Sequence, residues 1–568
     1  MDDRGTSSMV ETEAAAAEMP VTEDWTQAPW RKLERCVYRL QKRIYQAQGR
    51  GDVRAVHSLQ RLLMKSRAAR ALAVRKVTQD NAGKKTAGID GISHLGPAAR
   101  LLLVERLRAC RQLRAKPVRR VWIPKPGKEE KRPLGIPVMM DRAHQALVKL
   151  ALEPQWERRF EANSYGFRPG RSGQDALDAI FLDIVRQAKY VLDADIKGCF
   201  DNIDHQALLG KVGATPAIQR ACKGWLKAGV LEGSVYHRTT SGTPQGGVIS
   251  PLLANIALHG LEDAATQHRR GRKLIRYADD FVFLSKDLPE VRAAQERVEG
   301  FLATMGLRLS PEKTRIAHTL HVLPTAPAGF DFLGFTVRQF PVGKCHSGTN
   351  GRKQLLGFKT LIKPSKGAIA RHRASMRRSV RRDRSLPPGD LIDKLNPLIR
   401  GWANYYRACV ASRAFQSCDH TTFTLLWSWA RFRHPRKGRA WIAAQYWTLQ
   451  PRDRWTFVAK DGGYITHRLT KHAKTRICRH IKVKGTASPF DGNLLYWSTR
   501  LKNHPLTGST TSRLLAAQQG RCTRCGLLFL DGERLEIDHV LPIAAGGTQH
   551  STNLQVLHRH CHDQKGTP

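Results

Sequence analysis

The chain has 568 residues, of which 95 are Lys or Arg and 48 are Asp or Glu, so its formal net charge is +47. This length allows several domains of about 100–200 residues each, and the surplus of positive charge predicts a polyanionic partner such as nucleic acid. No apolar run reaches 18 residues and no signal peptide opens the chain. These features argue against a membrane partner and predict a cytoplasmic protein.

The N-terminal part contains two segments of opposite charge. The first 25 residues hold seven acidic residues and one arginine, a net charge of −6, and many alanines, which predicts a disordered tail over residues 1–25. Residues 30–76 place apolar residues at helical spacing with Arg and Lys between them, which predicts two basic amphipathic helices. They are consistent with a plain helical hairpin or with a surface that binds RNA phosphates.

Residues 119–137 contain an apolar strand, a Pro-Gly turn and a second strand, which is typical of a β-hairpin. Lys125 and Arg132 are candidates for holding a triphosphate, because a guanidinium grips phosphate oxygens in pairs while an ammonium acts as a point charge. A solvated basic hairpin is the alternative interpretation.

Carboxylates recur where further strands are predicted. Asp193 and Asp195 fall on one face of a strand that alternates apolar and acidic residues. A hairpin predicted over residues 276–284 has Asp279 and Asp280 at its tip. A pair of Mg²⁺ ions about 3.5–4 Å apart would neutralise such acids and serve phosphoryl transfer, with Asp195 as the third ligand. The alternative is a solvated acidic turn.

Three other features lie between these segments. Residues 163–172 predict a loop that leads into a helix at Gln174. Phe200 is either a core residue or an aromatic wall that excludes the 2′-hydroxyl of a nucleotide. Residues 241–251 contain glycines that let backbone approach a ligand, followed by a predicted helix.

In their order and spacing, these segments resemble the reverse transcriptase of group II intron-encoded proteins. The matching blocks are residues 119–137 and 163–175 in the fingers, 191–204, 241–256 and 274–284 in the palm, and then 307–314 and 330–335. The resemblance implies an α+β right-hand polymerase over residues 26–345, with an N-terminal helical extension that binds RNA.

The resemblance also implies roles for individual residues. These are metal coordination by Asp195, Asp279 and Asp280, deoxynucleotide selection by Phe200, contact with the nascent base pair by Gln245, triphosphate binding by Lys125 and Arg132, and proton donation to pyrophosphate by Lys313.

Basic residues crowd positions 359–384, and aromatic residues interleave with cations at 401–406 and 426–435. Stacking on single-stranded nucleic acid requires such a mixture. These segments resemble the maturase, or X, domain of the same family, which implies an α-helical thumb over residues 346–450 that grips intron RNA. Residues 451–510 stay basic and correspond by position to the family's DNA-binding region.

One cysteine cluster stands out among the 11 cysteines, which predicts reduced thiols and a single metal site. Cys522 and Cys525 form one pair, and His558 and Cys561 form a second pair at zinc-ligand spacing. Such a site would stabilise a domain too small for a large core. His560 competes with His558 for the ligand role, and a metal-free remnant is the alternative.

Residues 511–568 resemble an HNH endonuclease, which implies a small ββα domain stapled by zinc. In this family His539 would deprotonate the attacking water and Asn553 would orient it. Asp538 and His562 would hold one divalent ion at the scissile phosphate. The chain departs from the family pattern at position 558, where relatives commonly have Cys.

Taken together, the resemblance implies a multifunctional mobile-intron protein that assists splicing of its intron RNA, nicks target DNA and copies the RNA from that end with dNTPs. The implied cofactors are two Mg²⁺ ions at the polymerase site, one divalent ion at the HNH site and a structural Zn²⁺. The alternatives are a reverse transcriptase of the retron or diversity-generating type and an RNA-binding splicing factor without polymerase activity. The sequence leaves open whether the protein is a monomer or a dimer.

Overall fold

The computed structural model describes residues 24–108, 114–124, 131–448, 455–501, 509–529 and 535–563. Most of the expected acidic tail, residues 1–23, lies outside these ranges. Trp25, the last residue of that expected tail, is only 3% exposed, and its indole Nε1 donates to Gln79 Oε1 at 2.8 Å. The packed chain therefore begins before residue 26. Within the described ranges, no helix combines the length and the apolar character that crossing a membrane requires.

The helices are α1 Trp30–Gly49, α2 Val53–Lys65, α3 Arg67–Arg75, α4 Pro97–Arg106, α5 Met139–Glu157, α6 Gly173–Ile184, α7 Cys199–Asn202, α8 His205–Val212, α9 Pro216–Leu226, α10 Ser250–Ala257, α11 Leu261–Thr266, α12 Leu288–Ala303, α13 Lys366–Arg382, α14 Pro388–Tyr406, α15 Ser412–Arg433, α16 Arg439–Tyr446, α17 Leu494–Arg500, α18 Ser509–Ala517 and α19 Arg559–Asp563. The strands are β1 Val118–Pro124, β2 Lys131–Ile136, β3 Tyr190–Asp195, β4 Val230–Glu232, β5 Val235–His237, β6 Lys273–Tyr277, β7 Asp280–Ser285, β8 Arg315–His318, β9 Phe330–Phe332, β10 Phe335–Pro341, β11 Phe358–Pro364, β12 Trp447–Thr448, β13 Thr456–Asp461, β14 Tyr464–Arg468, β15 Leu535–His539 and β16 Leu554–His558.

The basic N-terminal segment forms three helices, so the prediction of two was wrong. The reason is Ser66, whose extended backbone ends α2 and whose Oγ accepts the Ala69 N–H at 3.4 Å to cap α3. The apolar faces of all three helices pack against α5.

The palm is a four-stranded antiparallel sheet in the order β6-β7-β3-β8. Because side chains alternate along a strand, the sheet contributes to two cores. Leu192 and Phe283 face the core formed with the N-terminal helices, whereas Val191 and Val282 face a core shared with α6 and the thumb. A second four-stranded sheet, in the order β2-β1-β4-β5, forms the fingers and contains the predicted hairpin.

The thumb consists of α13, α14 and α15, and both of its expected boundaries cut through sheets. Strand β11 pairs with β10 across the boundary at 345/346. Strand β12 pairs with β13 across the boundary at 450/451, and β13 packs on the thumb core. Backbone pairing therefore continues across both expected boundaries, and the core of these helices includes residues as far as Leu469.

The C-terminal domain contains the expected ββα arrangement of β15, β16 and α19. Its leading helix α18 packs on α17, whose Trp497 is fully buried in the core shared by palm and thumb. Helix α17 therefore joins the small domain to the polymerase body.

Candidate functional site

The palm sheet brings the three predicted aspartates together. Asp195 ends β3 and lies directly opposite Asp280, the first residue of β7, in the antiparallel register. Asp279 occupies the turn between β6 and β7. The charges of Asp279 and Asp195 act on Asp280, and the charge of Asp195 acts on Asp279. The structure thus forms one carboxylate cluster from segments separated along the chain.

Cations partly compensate this cluster. The Lys313 Nζ forms an ion pair with Asp195 Oδ2, and the charges of Lys313 and Arg132 both act on Asp279. Desolvation in the crowded cleft and the charges of Asp279 and Asp195 still raise the pKa of Asp280 to about 7. Negative charge in the cluster therefore exceeds what the nearby side chains neutralise, as a site for divalent cations requires.

The turn that carries Asp279 depends on residues that the sequence analysis did not assign to the site. Ala278 has φ +59°, a left-handed conformation that L-residues rarely adopt. The buried guanidinium of Arg276 holds it by donating Nη1–H bonds to Ala278 O at 3.2 Å and to Asn255 Oδ1 at 2.9 Å. A lone arginine within the apolar strand β6 was the signal for this role.

Asp193 was expected on the same strand face as Asp195, and it pairs with Arg315 Nε at 3.0 Å across β3 and β8. Desolvation outweighs the attraction of Arg315 and raises the pKa of Asp193 to about 6. This ion pair links the strand that carries Asp195 to the strand that follows Lys313.

Phe200, Gln245 and Arg132, which were expected around a nucleotide, lie within the described residues. Phe200 is half-buried against the core, and Gln245 Nε2 donates to Asp201 Oδ2 at 3.2 Å. The Gln245 carbonyl accepts the Gly135 N–H at 2.6 Å, which fixes the glycine-rich loop to the fingers. Arg132 is exposed on β2 near Asp279. Lys125 lies outside the described residues.

The thumb aromatics divide into two groups. Tyr406 and Trp429 are 5% and 3% exposed and belong to cores, which removes them from the stacking surface predicted from sequence. Their apolar spacing along α14 and α15 places them on the inner faces of these helices. Phe432 is 61% exposed, with the Arg384 guanidinium 4.9 Å from its ring centroid. This pair retains the cation and aromatic character that nucleic-acid stacking uses.

The end of the expected DNA-binding region is docked on the polymerase through the fully buried Asp175. Its Oδ1 accepts hydrogen bonds from His480 Nε2 at 2.9 Å, Val483 N at 2.8 Å and Arg500 Nη2 at 2.6 Å. Burial alone would raise the pKa of Asp175, but the hydrogen bonds from His480 and Ser172 and the charge of Arg500 lower it below its usual range. The carboxylate is thus ionised and joins segments about 300 residues apart.

The predicted zinc ligands form a compact group. The ligand atoms of Cys522, Cys525, His558 and Cys561 all lie within 4.8 Å of one another. Among the residues that the structure describes, no other set of three or more Cys, His, Asp or Glu meets this spacing, and the palm aspartates do not. The side chain of His560, the competing ligand, lies outside the described part of the chain.

The surroundings of these four residues fit a zinc ion. Burial alone would raise the pKa of the Cys522 thiol, but hydrogen bonds from the backbone N–H groups of Cys525, His558 and Arg524 lower it to about 6. Burial and the adjacent thiols raise the pKa of Cys561 to about 11. A thiolate next to thiols that resist ionisation is a donor set that a soft divalent cation would stabilise.

The HNH residues lie on β15, on α19 and in the turn Ser551–Asn553 that precedes β16. Asp538 and His539 end β15, and His562 lies on α19, which packs against that strand. Gln555 Nε2 donates to Asp538 Oδ2 at 3.1 Å.

The side-chain amide of Asn553, the expected water-orienting residue, is hydrogen-bonded to the backbone of a neighbouring loop. Its Oδ1 accepts the Leu541 N–H at 2.9 Å, and its Nδ2 donates to Leu541 O and Thr548 O, each at 2.9 Å. Through these bonds, the Asn553 amide holds the loop that follows His539.

Four family models match the chain in succession. They are the N-terminal domain of reverse transcriptase at residues 25–107, reverse transcriptase (RNA-dependent DNA polymerase) at 123–337, the group II intron maturase-specific domain at 369–447 and HNH endonuclease at 522–567. The first three cover the N-terminal helices, the fingers and palm, and the thumb helices, and the fourth covers the zinc group and the HNH residues.

Curated relatives are similar to about half of the chain. Group II intron-encoded protein LtrA of Lactococcus lactis subsp. cremoris is 32% identical over 370 residues, covering 51% of this chain and 60% of LtrA. The match thus spans less than two thirds of that relative. Protein YkfC of Escherichia coli K12 is 32% identical over 303 residues, covering 46% of this chain and 77% of YkfC. The succession of four domains and these likenesses establish that the chain belongs to the family of group II intron-encoded reverse transcriptases and maturases with a C-terminal HNH domain.

Proposed function

We propose that this protein is an RNA-directed DNA polymerase that copies its group II intron RNA from a nick made by its own HNH domain. The observation that carries the proposal is the cluster of Asp195, Asp279 and Asp280 between cationic fingers and thumb. The site of action is the interior of the cell, where the intron RNA, target DNA and dNTPs are found.

Two Mg²⁺ ions would be held by Asp195, Asp279 and Asp280. When bound, these ions would stabilise the attacking and leaving oxygens of nucleotidyl transfer. Lys313 contacts the same Asp195 oxygen that an ion would take, so it would release that carboxylate and turn toward the pyrophosphate. Phosphoryl transfer depends mainly on positioning and electrostatics. The protein's own contribution is therefore to fix the turn through Arg276 and to orient the triphosphate through Arg132 and Lys125.

The maturase and nuclease activities complete the proposal. The exposed Arg384 and Phe432 pair and the basic N-terminal helices support binding of intron RNA. In the HNH domain, His539 would take the proton from water, and Asp538 with His562 would hold one divalent ion beside the phosphate. Cys522, Cys525, His558 and Cys561 would hold a structural Zn²⁺.

The Asp279→Asn variant tests the polymerase assignment. Primer extension on an RNA template should fall by about 100-fold or more, because one charge that stabilises the transition state is lost, while binding of the intron RNA persists. The control is Asp287→Asn, which changes an exposed aspartate just beyond β7. Extension by Asp279→Asn at the control level would reject the metal-site assignment.

A further inference from the structure

Phe167 lies in a backbone conformation that its residue type disfavours. Its φ is +60°, in the left-handed region where aromatic residues are uncommon. The conformation persists only if neighbouring contacts determine it on both sides.

Those contacts are present in the structure. On the N-terminal side, the Tyr165 N–H donates to Arg276 O at 2.9 Å, and the Asn255 Nδ2 donates to Gly166 O at 2.8 Å. A Cβ at Gly166 would collide with the backbone of Ala278, so the loop lies directly against the turn that carries Asp279.

On the C-terminal side, the buried Arg168 donates to both carboxylate oxygens of Glu157 at 2.8 and 3.0 Å. The residues around Phe167 are therefore fixed to the palm, and its conformation follows from that attachment.

The side chain of Phe167 gains little from burial, since the residue is 48% exposed. Its ring meets the ring of Phe200 edge to face, with centroids 6.1 Å apart and an interplanar angle of 79°. The fixed loop thus holds an exposed aromatic ring against Phe200, five residues after Asp195. Edge-to-face contact is favourable beyond the burial of area, and it restrains the orientation of both rings.

We propose that Phe167 is a positioning residue that braces Phe200 and thereby sets how strongly the polymerase rejects ribonucleotides. This inference rests on the proposed polymerase function and on the role of Phe200 within it. An aromatic wall discriminates against a 2′-hydroxyl only if it does not move aside when the larger sugar enters. Phe167 supplies the support from the side of the fingers.

The test measures the ratio of kcat/KM for a dNTP to kcat/KM for the matching rNTP on the full chain. Phe167→Gly removes the ring but suits the left-handed backbone, so it should keep the thermal stability and lower the ratio by about 2- to 10-fold, the effect of losing one aromatic contact. Phe167→Tyr should keep the ratio. Gln267→Gly places glycine at another left-handed position, φ +49°, and should leave the ratio unchanged.

Phe200→Ala separates this inference from the function on which it rests. We expect Phe200→Ala to lose most of its discrimination between dNTP and rNTP. Adding Phe167→Gly to Phe200→Ala should cause no further loss. If Phe200→Ala lowers the ratio and Phe167→Gly does not, the bracing role is overturned and the polymerase assignment stands. If the wild-type protein extends no primer, the proposed function and this inference both fall.

Discussion

Asn553 was expected to orient the attacking water, and its hydrogen bonds lead us to expect that it acts by holding the loop after His539. Its amide engages the backbone of Leu541 and Thr548, and a Cβ at Gly547 would collide with Leu541 O. The loop after His539 is therefore held by the Asn553 side chain, and its tight path requires glycine at position 547. We therefore expect the histidine and the amide to affect nicking in different ways.

We expect His539→Ala to abolish nicking with no change in the loop, because only the proton acceptor is lost. Asn553→Ala should lower nicking by about 10- to 100-fold, as is common for residues that orient a site, and should accelerate hydrogen exchange at the Leu541 amide. His550→Ala, in the same loop, serves as the control. If Asn553→Ala loses nicking but hydrogen exchange at the Leu541 amide is unchanged, the result would support the water-orienting role of Asn553 instead.

At the scale of elements, the same polymerase body is assembled from distant segments by buried polar anchors. Asp175 joins α6 to the segment that contains Val483 and Arg500. In the thumb, His472 Nδ1 donates to Asp419 Oδ1 at 2.7 Å, so its Nε2 accepts the Nε2–H of His372 at 2.8 Å. Both anchors fix the polypeptide that follows the thumb.

Asp175→Asn should destabilise the protein by about 3–5 kcal/mol, because it leaves the donors from His480 and Arg500 without their buried charge. Chemical denaturation gives the free energy of unfolding, and limited proteolysis should show faster cleavage within residues 476–501. Asp178→Asn, on the same helix and half-buried, is the control. Equal stability of the two variants would contradict the anchoring role.

The thumb anchor also predicts a dependence of stability on pH. Burial and the adjacent His472 lower the pKa of His372 from 6.5 to about 4. Between these values the unfolded chain binds the proton more readily, so stability is lost as pH falls from about 6.5 to 4, by roughly 3 kcal/mol for this residue.

The measurement is the free energy of unfolding across that pH range. His372→Gln should flatten the decline in part, since burial also lowers the pKa of His144 to about 4. His268→Gln changes a side chain that is 79% exposed and should leave the decline as it is. If the free energy of unfolding declines as steeply with falling pH in His372→Gln as in the wild type, His372 is not a source of the pH dependence.

How far the sequence predicts this molecule depends on the range of the interactions involved. The hairpin with Asp279 and Asp280 and the zinc-ligand pairs are local patterns, and the structure contains them. The break at Ser66 lies within a continuous apolar pattern, and Trp429 looks like a stacking residue until the packing of the thumb is known. The partners of Asp175 lie about 300 residues away, so no local pattern indicates them.

At the scale of the whole molecule, we expect folding of the C-terminal domain to require zinc at the four-residue group, because the apolar core of this domain is small. Metal analysis of the full chain should find about one zinc per chain, and Cys522→Ser should lower that content. Cys36→Ser, in the N-terminal helix, should not. Removal of zinc with a chelator, followed by restoration of Mg²⁺, should abolish nicking and leave primer extension intact, and full zinc content in Cys522→Ser would contradict the four-ligand site.

Helix α17 buries Trp497 in the core shared by palm and thumb and also packs on α18, which has a consequence for the proposed order of events on DNA. A nuclease on a long flexible tether would release its product into a wide volume, and the polymerase would have to find the new 3′ end by diffusion. Here the helix that carries Trp497 is locked into the polymerase and also supports the nuclease domain. We therefore expect this attachment to fix the distance between the HNH residues and the cluster of Asp195, Asp279 and Asp280.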